Sequence, residues 1–585
     1  MKRFLLLFLL AVPFALAAAP VTPEKAGKLA GQLLRDGGSR STTVHMLSAE
    51  RAVTKAAPEL PAYYVFGGDK GGFVILSADD RLTPVIGWSP DGKFQMNAMP
   101  ANIQAWFDMW QKISDDIASG KLAPSANVAA EWEALEKGRW LVKDGNGKQL
   151  TTANWNQGSP YNMFCPAIDG RTCVTGCVAT AAAIVMRYFK WPEAGVGELP
   201  SYSYKDDNGE TRQVEGTTLG HPYDWENMPL NLTDSTPYEQ QAEVARLISD
   251  VGIMVQASYN PGGTGAFTGD VYPGLVDHFH YDASALFHFR AFYTDEEWKS
   301  MLCNNIENVG PILYSASSKE GGHAFVLDGY SSSGMFHINW GWGGHDNGDY
   351  VVPAFDEYVN NHAATINLKK DEGGKTADLL YIDSNGDAEA SGLSTETTEF
   401  RPNEPFKVTV QYLFNFSARV FDGEIALAIK HADGSMGEIV ARDSIKIHSY
   451  SGYALIYDNC VIEGEISIGD KICLWYSSKN NPEWTPVNAN IEDGDVGEIS
   501  IADATSIEEV TSFRYTSSSG ELVVSTKADV EWVLKDSAGT PQTEGVTFEE
   551  GALTIDTRQF VKGSWFLTLT KGLDTKTVEF VFGSK

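Results

Sequence analysis

The chain is short of positive charge. Its 585 residues carry 45 Lys and Arg against 77 Asp and Glu, a formal net charge of −32. Binding a phosphate backbone takes clustered Lys and Arg. No such cluster occurs, so no nucleic-acid partner is expected, and the surplus acid suits a soluble exterior surface. Long apolar runs are missing beyond the N-terminus: no later stretch approaches the roughly 18 apolar residues that span a bilayer as a helix. Cysteine is sparse, with six residues at Cys165, Cys173, Cys177, Cys303, Cys460 and Cys473. The first three lack C-x-x-C spacing and a nearby His to complete a tetrahedral zinc set, so neither metal nor cofactor is expected. The Gly-rich run Ser258–Gly265 lacks the Gly-Lys-Ser/Thr of a phosphate loop and reads as a turn, with a place in a cleft wall as the alternative. Asp383-Ser384-Asn385-Gly386-Asp387 resembles half a calcium loop but lacks the glycine and the distal Glu in register, and it too reads as a turn.

What the chain does have is aromatic and globular in character, with 15 Trp. At roughly 150 residues per domain its length implies three or four domains. Lys2 and Arg3 precede an apolar run from Phe4 to Leu16, and Ala15-Leu16-Ala17 forms a small-x-small site. That pattern predicts a signal peptide over residues 1–18 and an exported, secreted or surface-attached product. Export permits disulfides: Cys460 with Cys473 and Cys165 with Cys173 are conceivable pairs that would leave Cys177 free, but connectivity is not readable from sequence.

Residues 19–145 have mixed helix and strand patterns. Glu24–Leu34 reads as a helix, and Ala62–Phe66 and Gly72–Leu76 read as strands. Pro100–Ile117 reads as an amphipathic helix whose Trp106/Trp110 stripe would belong to the core of this segment. The stretch from Glu136 to Lys148 looks exposed and cleavable. Residues 146–370 carry the chemistry. Residues 371–500 show short alternating strands, such as Phe406–Val410 and Glu424–Ile429, that predict a β-sandwich, and 501–585 are again strand-like.

The chemistry rests on two segments. Upstream, Asn154-Trp155-Asn156-Gln157 precedes Gly176-Cys177-Val178-Ala179-Thr180-Ala181; downstream, Gly322-His323-Ala324-Phe325-Val326 precedes Asn339-Trp340-Gly341-Trp342-Gly343-Gly344. A thiol attacks an amide only as thiolate, which a helix N-terminus and an adjacent imidazole both favour. The Ala-rich run Cys177–Phe189 predicts a buried helix with Cys177 in its first turn and Thr175 as candidate N-cap. His323, after the Gly321-Gly322 pair, is the candidate base. Asn339 can orient its second nitrogen through the amide oxygen, and Trp340 can shield that bond. The backbone N–H of Cys177 and the side chain of Gln157 can supply the two oxyanion donors. Gly321, Gly322 and Tyr259 are candidates for substrate contact. Asp328, five residues beyond His323, falls on the opposite face by strand alternation and reads as structural. His278, His280, His288, His337 and His345 read as surface or core residues.

These motifs, with Pro160-Tyr161-Asn162, closely resemble the streptopain family of secreted bacterial cysteine proteases. Gly72–Asp80 and Pro84–Ser89 resemble its prodomain more loosely. The resemblance implies a multidomain zymogen with an α+β inhibitory prodomain, a papain-like α+β cysteine protease domain and endopeptidase activity on proteins, followed here by all-β, Ig-like C-terminal domains. It implies Cys177 as nucleophile, His323 as base, Gln157 in the oxyanion hole and Asn339 with Trp340 as supports. It also implies preference for an apolar residue before the cleaved one. The tail, through Phe560–Phe566 and Thr577–Phe582, resembles the sorting domain of type IX secretion clients, which would make the secretion machinery a partner. The competing expectations are a papain-like amidase or peptidoglycan hydrolase, and an adhesin with an accessory protease domain.

Overall fold

The computed structural model describes residues 20–47, 61–96, 101–125, 127–140, 147–318, 321–352, 362–383, 392–397, 400–464, 466–467, 469–490, 496–501, 511–516, 521–526, 530–547, 552–571 and 574–582. The expected leader at 1–18, positions 141–146 of the cleavable stretch and positions 384–387 of the half calcium loop lie outside them. The chain forms two compact units, Met1–Ala377 and Asp378–Lys585.

The first unit is built on an eleven-stranded sheet. Its strands are β1 (Val44–Met46), β2 (Tyr63–Gly68), β3 (Phe73–Ser77), β4 (Val85–Ser89), β5 (Lys148–Gln149), β6 (Leu286–Phe289), β7 (Ile312–Ser318), β8 (Gly321–Tyr330), β9 (Phe336–Asn339), β10 (Gly348–Tyr350) and β11 (His362–Ile366). The order across the sheet is β1-β2-β3-β4-β10-β9-β8-β7-β11-β6, with β5 paired to β8. The N-terminal hairpins therefore do not form a sheet of their own. Strand β4 pairs antiparallel with β10, Trp88 opposite Asp349 and Gly87 opposite Tyr350. A Cβ at Gly87 would lie 2.6 Å from the Tyr350 ring, so only glycine lets the two strands close at this joint.

Both faces of the N-terminal strands are buried, which is why β3 reads as the unbroken apolar run Phe-Val-Ile-Leu. Val74 and Leu76 face helix α1 (Pro23–Asp36) and pack with Leu29, Leu33 and Leu34. Phe73 and Ile75 face helix α2 (Ala101–Ala118), whose Ile103, Trp106, Phe107, Trp110, Ile113 and Ile117 recur at helical spacing. That second core does not stop at the N-terminal segment. It continues through Phe325, Leu327, Ile338, Trp340 and Tyr350. Trp106 meets the rings of Tyr350 and Trp340 at 5.2 and 6.4 Å. The Trp106/Trp110 stripe is thus shared with the strands that carry the site, a correction to its assignment to a separate prodomain core.

After the short helix α3 (Val128–Glu136) and β5, the chain enters a helical half. Helix α4 (Cys177–Phe189) buries every residue from Val178 to Met186, as its Ala-rich sequence predicts. It packs on α5 (Tyr238–Met254) and on β8. Helices α6 (Val271–Phe279) and α7 (Asp295–Asn308) complete the α+β arrangement. Cys177 comes from the helical half and His323 from the sheet.

The second unit contains two pairs of packed sheets. In the first pair, Phe406–Asn415 and Ser451–Cys460 face Phe421–Lys430 and Lys471–Ser478 across a core that includes Val408, Val410, Leu427 and Leu474. The second pair closes on Leu522, Val524, Leu534, Trp565 and Leu567. Cys460 lies in the first sandwich core, whereas Cys473 lies with Ala428 and Trp475 in a different cluster. Strand alternation points Cys473 away from that core, and both cysteines are free. The conceivable Cys460–Cys473 bridge is not made.

Candidate active site

Cys177 is the first residue of α4. Gly176 precedes it at φ 86°, and a Cβ there would lie 2.9 Å from the Thr264 carbonyl. Both facts require glycine, so the cap position is filled by Gly176 and not by the expected Thr175. The Thr175 hydroxyl instead meets the Thr180 hydroxyl at 2.7 Å. Without a side-chain cap, the first N–H groups of α4 remain oriented toward the region of the thiol. Crowding by protein atoms pushes the Cys177 thiol up, while backbone N–H groups of Ala324 and Val178 and its own N–H act in the opposite sense.

His323 lies on β8 and is buried. Cys177, Gly322, His323 and Ala324 line one cavity of about 330 Å³. The imidazole Nε2 lies 3.2 Å from the Trp340 carbonyl oxygen. A carbonyl can only accept, so Nε2 carries the proton and Nδ1 keeps the lone pair of a base. Burial pushes the His323 imidazole down to about 4, with the Trp340 carbonyl opposing it. Burial thus disfavours the charged form of both groups. The rings of Trp340 and Trp342 lie near-parallel to the imidazole, with centroids at 6.2 and 6.0 Å.

Asn339 does not sit on the imidazole as the sequence suggests. Its amide nitrogen donates to the Thr152 hydroxyl and the Ala153 carbonyl, both at 2.9 Å. Its amide oxygen accepts from the Gly341 N–H at 3.2 Å. The next carbonyl along the chain, that of Trp340, takes the place beside His323. Gln157 is buried, and the Thr175 N–H donates to its backbone carbonyl at 3.0 Å, which ties it to the turn before Cys177. The Gln157 Nε2 is buried without a hydrogen-bond partner. An orphaned buried donor is costly and calls for an explanation, and a negative oxygen developing at the thiol would supply one.

Beside Thr264, Thr268 and Ser315, the cavity has an apolar wall. Ala266 and Phe267 from the turn after Ser258–Gly265, Phe287 and Phe289 from β6, and Ala316 and Ala363 from β7 and β11 form it. Tyr259 is not part of it. That side chain is buried against Gly252, and Thr264–Thr268 line the cavity instead. Gly322 lines the cavity, and Gly321 opens β8 opposite Ser318. The sequence offered no signal for the Phe287/Phe289 wall, which is read only once β6 is placed at the sheet edge. His345 points elsewhere: its Nδ1 lies 3.0 Å from the Gln95 amide. The Gln95 N–H also donates to the Asp346 carboxylate at 2.8 Å, and the Asp346 N–H donates to the Lys93 carbonyl at 2.9 Å. Residues 93–95 thus grip the loop that follows Trp340. Burial pushes the Asp346 carboxyl up to about 6, with the Gln95 N–H opposing it.

Residues 155–350 match the Peptidase C10 family, and residues 18–113 match the Spi protease inhibitor family. Residues 155–350 are thus similar to the peptidase C10 family. Its members are cysteine peptidases, and here the peptidase domain follows an inhibitor-type prodomain. The chain is 33% identical over 351 residues to the thiol protease/hemagglutinin PrtT of Porphyromonas gingivalis, covering 59% of this chain and 40% of that protein. It is 29% identical over 310 residues to a streptopain of Streptococcus pyogenes, covering 50% of this chain and 74% of that one. A prointerpain A fragment of Prevotella intermedia aligns at 27% identity with a TM-score of 0.43, over 56% of this chain and 99% of the fragment. The C10 match contains Cys177, His323 and Asn339, and the inhibitor match contains β2–β4 and most of α2.

Proposed function

We propose that the protein is a secreted cysteine endopeptidase made as a zymogen. Cys177 attacks the peptide carbonyl, and His323 takes its proton and returns it to the leaving amine. The Cys177 N–H and the Gln157 amide hold the tetrahedral oxyanion. Asn339 and Trp340 support the imidazole. The observation that carries this reading is the convergence of Cys177, at a helix start, and His323, on a facing strand, on one cavity. The apolar wall suits an apolar side chain of the substrate next to the scissile bond. The N-terminal segment holds the enzyme latent through the core it shares with the strands that carry the site and through the grip of residues 93–95. Maturation cuts between about Lys137 and Lys148, because Lys148–Thr152 is already tied to the catalytic strands. The packed sheets of residues 371–500 support an Ig-like reading. The stacking of Trp565 on Phe582 at 5.7 Å, close to Phe560, closes the last sandwich around the tail motif and supports a sorting-domain reading for 501–585.

The matured protein, under reducing conditions, is expected to hydrolyse casein and to leave purified peptidoglycan intact. Turnover of peptidoglycan with no release of casein peptides would move the assignment to a cell-wall amidase. Gln157→Ala is expected to lower kcat by about 10²–10³-fold with little change in KM, the loss typical of one oxyanion donor. A Gln157→Ala enzyme with wild-type kcat would remove that residue from the mechanism.

A further inference from the structure

Asp328 is a buried carboxylate that the catalytic scheme above does not use. It sits at a register break between β8 and β9: Leu327 pairs with Ile338 and Gly329 with His337, leaving Asp328 unpaired between them. Asp328 keeps the face that alternation from Val326 gives it, shared with His337 and Asn339. One carboxylate oxygen lies 2.5 Å from His337 Nδ1 and 3.3 Å from the Gln149 amide nitrogen. The other accepts from the Thr152 hydroxyl.

From that hydroxyl a continuous path leads to His323, and the direction of every bond in it is fixed. The Ala153 carbonyl can only accept and the Gly341 N–H can only donate, so Asn339 has one amide orientation. Its nitrogen therefore donates to the Thr152 oxygen. Thr152 has a single hydrogen, which goes to Asp328. At the other end, the peptide unit whose N–H is held by the Asn339 oxygen is the one whose carbonyl accepts from His323 Nε2. All four donors, His323 Nε2–H, Gly341 N–H, Asn339 Nδ2–H and Thr152 Oγ1–H, point toward the carboxylate. Hydrogen bonds aligned in one direction polarise one another.

We infer that Asp328 is a positioning residue for His323. Its charge is transmitted through Thr152, Asn339 and the Trp340–Gly341 peptide to orient the imidazole and stabilise its protonated form. This rests on the Cys177–His323 reading above. The relay also gives Asn339 a role that does not require touching the ring, since it holds the peptide that does. The charged groups around Asp328 are His337 on β9 and Asp349 on β10, with Asp91 facing His337 from the loop after β4. His337 uses the carboxylate oxygen that Thr152 does not.

The test uses matured enzyme and a peptide substrate, with kcat and KM measured from pH 5 to 9. Asp328→Asn and Thr152→Val are expected to lower kcat by about tenfold at near-constant KM. They should also move the alkaline limb of the pH profile to lower pH, because an imidazolium that loses a stabilising negative charge gives up its proton earlier. Thr152→Ser, which keeps the hydroxyl, is expected to retain wild-type rates. In an Asn339→Ala background, Thr152→Val should cost nothing further, since the path is already cut. An unmoved alkaline limb would overturn the relay. So would equal losses in Thr152→Ser and Thr152→Val, or a Thr152→Val loss that is undiminished without Asn339. If instead Cys177→Ala retains activity, the Cys–His reading fails and the relay goes with it. If Cys177 is required while those outcomes go against the relay, only the relay fails.

Discussion

Replacing Cys177 with Ala is expected to lower casein hydrolysis by at least about 10⁴-fold, because removing a nucleophile leaves only the rate enhancement from binding and the oxyanion donors. The fold should survive. Cys177 is a half-buried first-turn residue whose loss removes one sulfur from a cavity wall, while the helix behind it stays packed from Val178 to Met186. The comparison is best made on protein whose N-terminal segment has been removed by an added protease, so that failure to mature is not mistaken for failure to catalyse. Thermal unfolding measured alongside should place wild type and variant within a few degrees. Appreciable casein hydrolysis by the folded Cys177→Ala protein would dispose of the assignment.

The second large effect concerns the N-terminal segment. Trp106 is nearly buried and meets Phe107, Trp110, Trp340 and Tyr350. Truncating a buried Trp to Ala typically costs about 3–5 kcal/mol. Here the lost contacts lie between the segment and the strands that carry His323 and Trp340, so the cost falls on the precursor. Trp106→Ala precursor is expected to unfold at a lower temperature and to shorten to the mature form faster than wild type. Mature enzyme derived from it lacks residue 106 and should have wild-type kcat and KM. Maturation at the wild-type rate, despite a lowered unfolding temperature, would show that the shared core does not govern latency. If Trp106→Ala left the unfolding temperature unchanged, the shared core itself would be in doubt.

Much of the site was legible because its chemistry is local. The helix over Cys177–Phe189 follows from an Ala-rich run stopped by Trp191-Pro192, and its bounds agree with the structure. Cys177 and His323 stand out by the company they keep in sequence, and both line one cavity. What was not legible depends on long-range pairing. Nothing in Val85–Ser89 announces a partner at Gly348–Tyr350, since an apolar strand reads the same whichever strand it joins. The Trp106 stripe was correctly read as buried, but period alone does not say against what. Thr175 is a good N-cap by residue type, yet the close approach of Thr264 demanded glycine one residue later. Asp328 lies on the face opposite His323, as alternation places it, but its partners there, Thr152, Gln149 and His337, are set by long-range pairing that the sequence does not show. Asn339 was assigned to the imidazole because an amide oxygen suits it; the backbone carbonyl beside it suits it as well and is nearer.

The most direct test of the central claim is to alkylate the matured enzyme stepwise with iodoacetamide, locating the label by peptide mass mapping and assaying casein hydrolysis at each step. Activity is expected to fall in proportion to the label on Cys177 and to vanish as that residue reaches one equivalent, whatever the state of Cys165, Cys173 and Cys303. Full labelling of Cys177 with hydrolysis intact would contradict the account.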